Sequence, residues 1–219
     1  MTVTPPPSAS NYVPYPARLE IAYPGQLNRF TTAFRLILVI PIAIVAGILT
    51  GAGTVHTSGG TTTTTSGIAG GLFAATLLLI LFRQRYPQWW FNFALELTRF
   101  TTRIVAYLAL LTDSYPSTVD YQTVSLDLDY PDVKRDLSRG LPLVKWFLAI
   151  PHYVLLFFLV IGAVVSVVLA WFAVVFTGKY PRGLFDYVVG VIRWGLRVEA
   201  YAFLLITDRY PPFSLRSNG

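Results

Sequence analysis

The chain repeats itself, and that repeat limits what it can fold into more than any single motif does. Arg99, Arg103, Ala106 and Tyr107 recur 94 positions later as Arg193, Arg197, Ala200 and Tyr201. Beyond them Leu110, Leu111, Thr112, Asp113, Tyr115 and Pro116 return as Leu204, Leu205, Thr207, Asp208, Tyr210 and Pro211, with one residue inserted. Tyr86 and Pro87 match Tyr180 and Pro181. Upstream, Leu19, Ile21, Tyr23 and Pro24 match Leu126, Leu128, Tyr130 and Pro131, while Arg35, Ile40 and Pro41 match Lys145, Ile150 and Pro151 at an offset of 110. The offset therefore falls from 110 to 94, and the first copy carries sixteen extra residues, 51–66. The chain reads as a tandem duplication, with repeat 1 over 18–120, repeat 2 over 121–219 and an N-terminal tail over 1–17. Residues 51–66 (GAGTVHTSGGTTTTTS) hold no formal charge and are expected to form a flexible outer loop.

Composition sets the medium. The chain is 54% hydrophobic and 13% charged, against a usual charged share of about 25%. With a mean hydropathy of +0.55, this points to a membrane protein. The net charge of +6 sits beside apolar runs and no nucleic-acid-binding motif accompanies it, so nucleic acid is not an expected partner. Zero cysteines exclude disulfides, thiolate metal sites and a cysteine nucleophile. The Pro/Thr/Ser-rich start has neither a basic nor an apolar region of the secretory kind, and reads as a disordered cytoplasmic tail.

Within each repeat the order is the same. Leu19 and Ile21 alternate with Arg18 and Glu20, and Val124, Leu126 and Leu128 alternate with Ser125, Asp127 and Asp129. Both are strand patterns, closed by Tyr-Pro. Together with 213–215 they are expected to form one small cytoplasmic sheet. Apolar runs follow at about 34–51 and 67–83 in repeat 1, and 141–161 and 162–178 in repeat 2. The repeat argument makes each pair a transmembrane helical hairpin, turning near Ile161 and Gly162 in the second copy. A single kinked helix over 141–178 is the alternative. Pro41 predicts a kink. Trp89, Trp90, Tyr86 and Tyr180 are expected as interface anchors.

The third segment of each repeat, 88–111 and 182–206, is amphipathic. Asn92, Glu96, Arg99, Arg103 and Tyr107 fall at spacings of four, three, four and four, and Asp186, Gly190, Arg193, Arg197 and Tyr201 repeat them. That is a narrow polar stripe on an apolar helix. Positive-inside logic favours helices lying in the membrane plane, with all Lys and Arg on the cytoplasmic side and both termini cytoplasmic. The fold class expected is an all-α membrane protein of two tandem repeats, each a transmembrane hairpin plus an in-plane amphipathic helix, with short cytoplasmic β-strands.

Candidate chemistry is sparse. No P-loop, GxGxxG, HExxH or GxSxG is present. Arg99/Arg103 and Arg193/Arg197, one turn apart, suit anionic headgroups, or else pairing with Glu96, Asp186 and Glu199 that fixes one repeat on the other. His152 is an ionisable residue inside an apolar run, replaced by Ile42 in the first copy, so a hydrogen-bonded structural role competes with a functional one. His56 falls in the insert and is expected to be solvated. Asp113 and Asp208 read as turn formers more readily than as acid–base groups. No metal and no cofactor are expected.

Taken together, Arg139–Tyr153 (RGLPLVKWFLAIPHY), the run TGKYPR at 177–182, Arg193, Trp194, Arg197, Ala200 and Tyr201, and Leu-Leu-x-Thr-Asp-x-Tyr-Pro-Pro-Phe-Ser-Leu resemble the bacterial membrane proteins of domain-of-unknown-function family 4389. Repeat 2 follows the pattern closely, whereas repeat 1 departs at Ile42 and in its insert. The resemblance implies a multi-pass protein of the bacterial inner membrane and brings no activity with it. The function expected is a non-catalytic accessory or scaffold subunit of a membrane complex, partnered by another membrane protein or by its own copies. Binding or transport of lipid or a small amphiphile through the arginine stripe is the alternative.

Overall fold

A computed structural model describes residues 14–50, 52–56, 62–66, 68–116 and 123–217. The described chain is mostly helical, with two small sheets. Its elements are β1 (Ala17–Ile21), α1 (Arg29–Leu38), α2 (Ile40–Thr50), β2 (Ala52–His56), β3 (Thr62–Ser66), α3 (Ile68–Leu78), α4 (Gln88–Leu108), β4 (Val124–Leu128), α5 (Val133–Asp136), α6 (Lys145–Leu148), α7 (Ile150–Thr177) and α8 (Arg182–Ala202).

The two alternating segments pair with each other. β1 runs antiparallel to β4, with Ala17 opposite Leu128, Leu19 opposite Leu126 and Ile21 opposite Val124. The apolar residues of both strands point to one side and are buried there, except for half-buried Ile21. A two-stranded sheet is marginal by itself and needs a packed face. Here β1 packs against α8 and β4 against α4, so each strand rests on the other repeat's helix. The expected third strand does not form. The carbonyls of 214–217 are taken by arginine side chains of α8 instead of by a strand edge.

Pro41 acts as anticipated. Lacking an N–H and crowding the carbonyl of Ile37, it ends α1 at Leu38, and the chain bends by 47° between 29–35 and 40–47. Pro151 stands at the start of α7, where its missing N–H costs nothing. α4 and α8 each begin directly after the Tyr-Pro of their repeat and run for 21 residues. Both stop short of the expected ends at 111 and 206. Leu110 and Leu205, each three residues before the aspartate that follows its helix, adopt left-handed backbone at φ 63° and 57°. That costs on the order of 1–2 kcal/mol for a non-glycine residue, and here both leucine side chains are buried.

The expected turn at Ile161 and Gly162 is absent, and α7 runs unbroken for 28 residues, about 42 Å. One glycine among valine, leucine and phenylalanine does not break a helix whose first and last turns are both packed. Gly162 lies under the Tyr187 hydroxyl, which donates to the carbonyl of Leu159. In repeat 1, α2 lies against the C-terminal half of α4 through Val39, Ile42, Phe100, Ile104 and Tyr107. α3 meets the N-terminal half, where the Trp90 indole donates to Thr76 Oγ1 at 2.9 Å. The two short helices thus meet different halves of α4.

The insert between α2 and α3 is not the loop expected. Val55 and the threonine run 62–65 favour extended backbone, and β2 pairs with β3 from Ala52 opposite Ser66 to His56 opposite Thr62. Residues 51, 57–61 and 67 lie outside the described residues, as do 1–13 of the tail. Within the segment 14–17 of the expected tail, Tyr15 is buried and its hydroxyl donates to the carbonyl of Arg209 at 3.2 Å.

Among the described residues α7 is the one helix long and apolar enough to cross a membrane, and α1 with α2 meet the same test jointly as a bent pair. α7 leaves Phe157, Phe158, Ile161, Val165, Val168 and Phe172 at least 49% exposed.

Candidate functional site

The arginines of the polar stripes on α4 and α8 make contacts within the protein, while Asn92, Glu96 and Asp186 of the same stripes are exposed. The Arg99 Nε donates to the carbonyl of Leu126 at 2.8 Å, and its terminal nitrogens reach Glu96 at 2.7 Å and Asp127 at 3.0 Å. In the corresponding place, Arg193 Nε donates to the carbonyl of Leu19 at 3.0 Å, and Nη1 to that of Leu215 at 3.2 Å. Each arginine therefore ties its helix to the strand of the other repeat. The guanidinium is suited to this because its fork of donors satisfies several acceptors in fixed directions. Arg197 is 1% exposed, and its terminal nitrogens donate to the carbonyls of Ser214, Arg216 and Ser217. Arg103 is half-buried. Arg99, Arg193 and Arg197 thus bond to acceptors within the protein, which is the pairing alternative of the two that the sequence left open. Of the three acidic partners expected, Glu96 makes its ion pair, while Asp186 and Glu199 make none among the described residues.

Two further cations are used in the same way, and the sequence reading had not assigned them a role. Arg35, 2% exposed, donates through Nη1 to the carbonyls of Tyr107 at 2.9 Å and Thr112 at 3.0 Å, pairs with Asp113 and lies over the Tyr107 ring. Lys145, fully buried, donates to the carbonyl of Thr207 at 2.7 Å, pairs with Asp208 at 2.7 Å and lies 5.2 Å from the Tyr201 ring centroid. Each aspartate also receives a backbone N–H, Asp113 from Asn28 and Asp208 from Ser138. The two carboxylates are thus neutralised cross-links between the start of the apolar helices and the turn after α4 or α8. The local turn bonds at these places are made by Thr112 and Thr207, whose hydroxyls accept from the N–H groups of Ser114 and Arg209, while the aspartates make long-range contacts. The signal available in sequence was a basic residue at the same place in both apolar approaches.

His152 is fully buried in an aromatic cluster. The Trp194 indole donates to its Nδ1 at 3.0 Å, and its ring stacks on Phe213 at 4.1 Å between centroids. Ile42 and Phe100, the residues that align with His152 and Trp194, pack in one apolar cluster. The hydrogen bond and the stacking are contacts of the kind a structural histidine makes. The interface anchors divide. Trp89 is 69% exposed, as an anchor must be, and Trp90 is tied to Thr76. Tyr86 and Tyr180 are 4% and 1% exposed and belong to the core. The carbonyl of Tyr86 accepts from Tyr130 and that of Tyr180 accepts from Tyr23 at 2.5 Å, so the Tyr-Pro corners interlock the repeats. His56 lies in β2, with its backbone opposite Thr62. No group of three or more His, Asp or Glu that could hold a metal occurs among the described residues.

The arrangement is that of an interlocked helical framework whose polar side chains serve mostly as internal struts. Residues 142–214, from the approach to α7 through the C-terminal segment, match the family model described as a domain of unknown function (DUF4389). The match supports the family resemblance for about a third of the chain, all of it in the second repeat. No curated protein and no solved structure matches the chain.

Proposed function

We propose that this is a non-catalytic accessory protein of the bacterial inner membrane, formed by duplication of one unit, that docks to a larger membrane assembly through its apolar helices. The observation that carries the reading is the division of labour just described. The cations and acids that recur in both repeats are consumed by internal contacts, while the outward surface of α7 is a continuous apolar face. An apolar surface of that length is poorly tolerated in water and calls for lipid or a protein partner.

A multi-pass arrangement is one way to place that face in a bilayer. A half-immersed arrangement is favoured by one further observation. α8 lies along α7 from the Trp194–His152 bond to the Tyr187–Leu159 bond, and β1 lies along α8 from Tyr15 beside Arg209 to Tyr23 beside Tyr180. A perpendicular α7 would take the polar strand edges to hydrocarbon depth, where unpaired backbone groups are excluded. With α7 lying in one leaflet, the sheet stays in water. Purification from native membranes in mild detergent tests the accessory role: a stoichiometric membrane-protein partner is expected, and elution of the chain alone would count against it. The chain has no cysteine, so single cysteines introduced at either end of α7 report topology without background. Labelling of both ends from one side supports the in-leaflet reading, and labelling from opposite sides supports a crossing.

A further inference from the structure

Between α4 and α8 lies a cleft of about 560 Å³ with walls from α3 and α7 and none from either strand. It continues past Thr98, Thr101, Leu156 and Gly195 into a second recess of about 260 Å³. The combined space is of the size that holds one small ligand. Its lining is mostly apolar, with Phe73 and Phe203 at one end. At the junction of the two recesses stands Glu199, which belongs to the lining of both.

Glu199 is the anomaly of the polar inventory. Its carboxylate is exposed to the cleft, yet no ion pair or hydrogen bond reaches it among the described residues, and its place in the first copy is taken by Val105. The apolar walls around it push the carboxyl above its usual range. Among the described residues the chain supplies no donor to this exposed carboxylate, which leaves it available to accept one from a ligand in the cleft. The neighbouring Thr101 hydroxyl already gives its proton to the carbonyl of Leu97 at 2.9 Å, so towards the cleft its oxygen is an acceptor. The polar end of the cleft is therefore set to receive hydrogens on a positive centre.

We infer that the cleft binds a single amphiphile with a primary ammonium head, the ammonium paired with Glu199 and bonded to Thr101, and the alkyl chain lying along Leu156 towards the paired rings of Phe73 and Phe203. The carboxylate and the ammonium neutralise one another through charge-assisted hydrogen bonds, which are stronger than neutral ones. The chain buries apolar surface on both partners. An aminophospholipid headgroup and a free long-chain amine carry the same chemistry. The site is independent of the accessory role, since it needs no protein partner.

The test is calorimetric titration of the purified full chain with decylamine and with decanol. Wild type is expected to prefer the amine at least tenfold, and Glu199→Gln to bind both equally while folding normally, because the carboxylate makes no internal contact. Gly195 lines both recesses, with nothing within 4 Å of an added Cβ, so Gly195→Leu is the substitution that directs a side chain into the cleft. It is expected to abolish binding of both probes. Displacement of decylamine by lysophosphatidylethanolamine, but not by lysophosphatidylglycerol, identifies a lipid as the source. Displacement by neither, with the amine preference intact, identifies a free amine. Equal binding of amine and alcohol to the wild type, or an amine preference that survives Glu199→Gln, overturns the assignment.

Discussion

Replacing Lys145 with methionine probes the framework where it is most concentrated. The side chain is fully buried, and its Nζ bonds the carbonyl of Thr207 and the carboxylate of Asp208, both at 2.7 Å. Methionine keeps the length and the apolar stem while deleting the charge and the donors. Breaking a buried pair from one side costs about 3–5 kcal/mol, because the remaining charge is left without a partner. Asp208 is 18% exposed and keeps the N–H of Ser138, which puts the expected loss near the lower end, about 3 kcal/mol. For a chain of this size each kcal/mol moves the midpoint by about 2–4 °C, so Lys145→Met should melt about 6–12 °C below wild type. Tryptophan fluorescence in detergent follows the transition, since Trp194 packs within the same aromatic cluster. Asp208→Asn alone should also destabilise, and the double variant should lose less than the sum by about 1–3 kcal/mol. Lys145→Arg should lose less than Lys145→Met, because the first copy places an arginine in the corresponding position on Asp113. A Lys145→Met midpoint within about 1 °C of wild type, or strict additivity in the cycle, refutes the reasoning.

Three other outcomes follow from the same contacts. Gly190→Ala would bring a Cβ to 2.8 Å from Leu215 Cβ and 3.0 Å from its carbonyl oxygen; overpacking of about 1–3 kcal/mol should loosen the C-terminal segment, and unchanged resistance to limited proteolysis there would show the contact unimportant. Arg193→Met should cost about 1.5–3 kcal/mol and speed amide exchange in β1 at 17–21, whereas exchange at the wild-type rate would mean that the sheet is held by other contacts. Burial pushes the Tyr86 phenol up to about 12. Because its folded value exceeds the unfolded value near 10, this contribution is complete below pH of about 10 and is lost as pH rises towards 12. Melting followed between pH of about 9 and 12 should therefore decline, and Tyr86→Phe should make the decline shallower; an identical slope in the variant rules Tyr86 out as its source.

Much of the framework was legible in the residues because its causes are local. Alternation marked β1 and β4, Tyr-Pro marked the starts of α4 and α8, and a polar stripe at spacings of three and four marked the face on which Arg99 and Arg193 do their work. The candidate ligand site was legible in part. Glu199 was singled out, but as an ion-pair partner, since nothing in its immediate neighbours reveals that its side of α8 meets a gap. The insert at 51–66 was misjudged because glycine and the lack of charge outweighed the β-preference of five consecutive threonines.

From the residues alone come two similar stretches, the segments in each that are extended or helical, the prolines that interrupt them, and the long apolar runs between. These follow from patterns within a few residues, where backbone geometry and hydrophobic period act. The tertiary structure decided that α7 is continuous, that each strand rests on the other unit's helix, that Tyr86 and Tyr180 are core residues, and that the arginines face inward. Those outcomes depend on which surfaces meet across more than a hundred residues. Burial of a guanidinium or a phenol depends on the acceptors available where the chain closes, and those come from the distant partner.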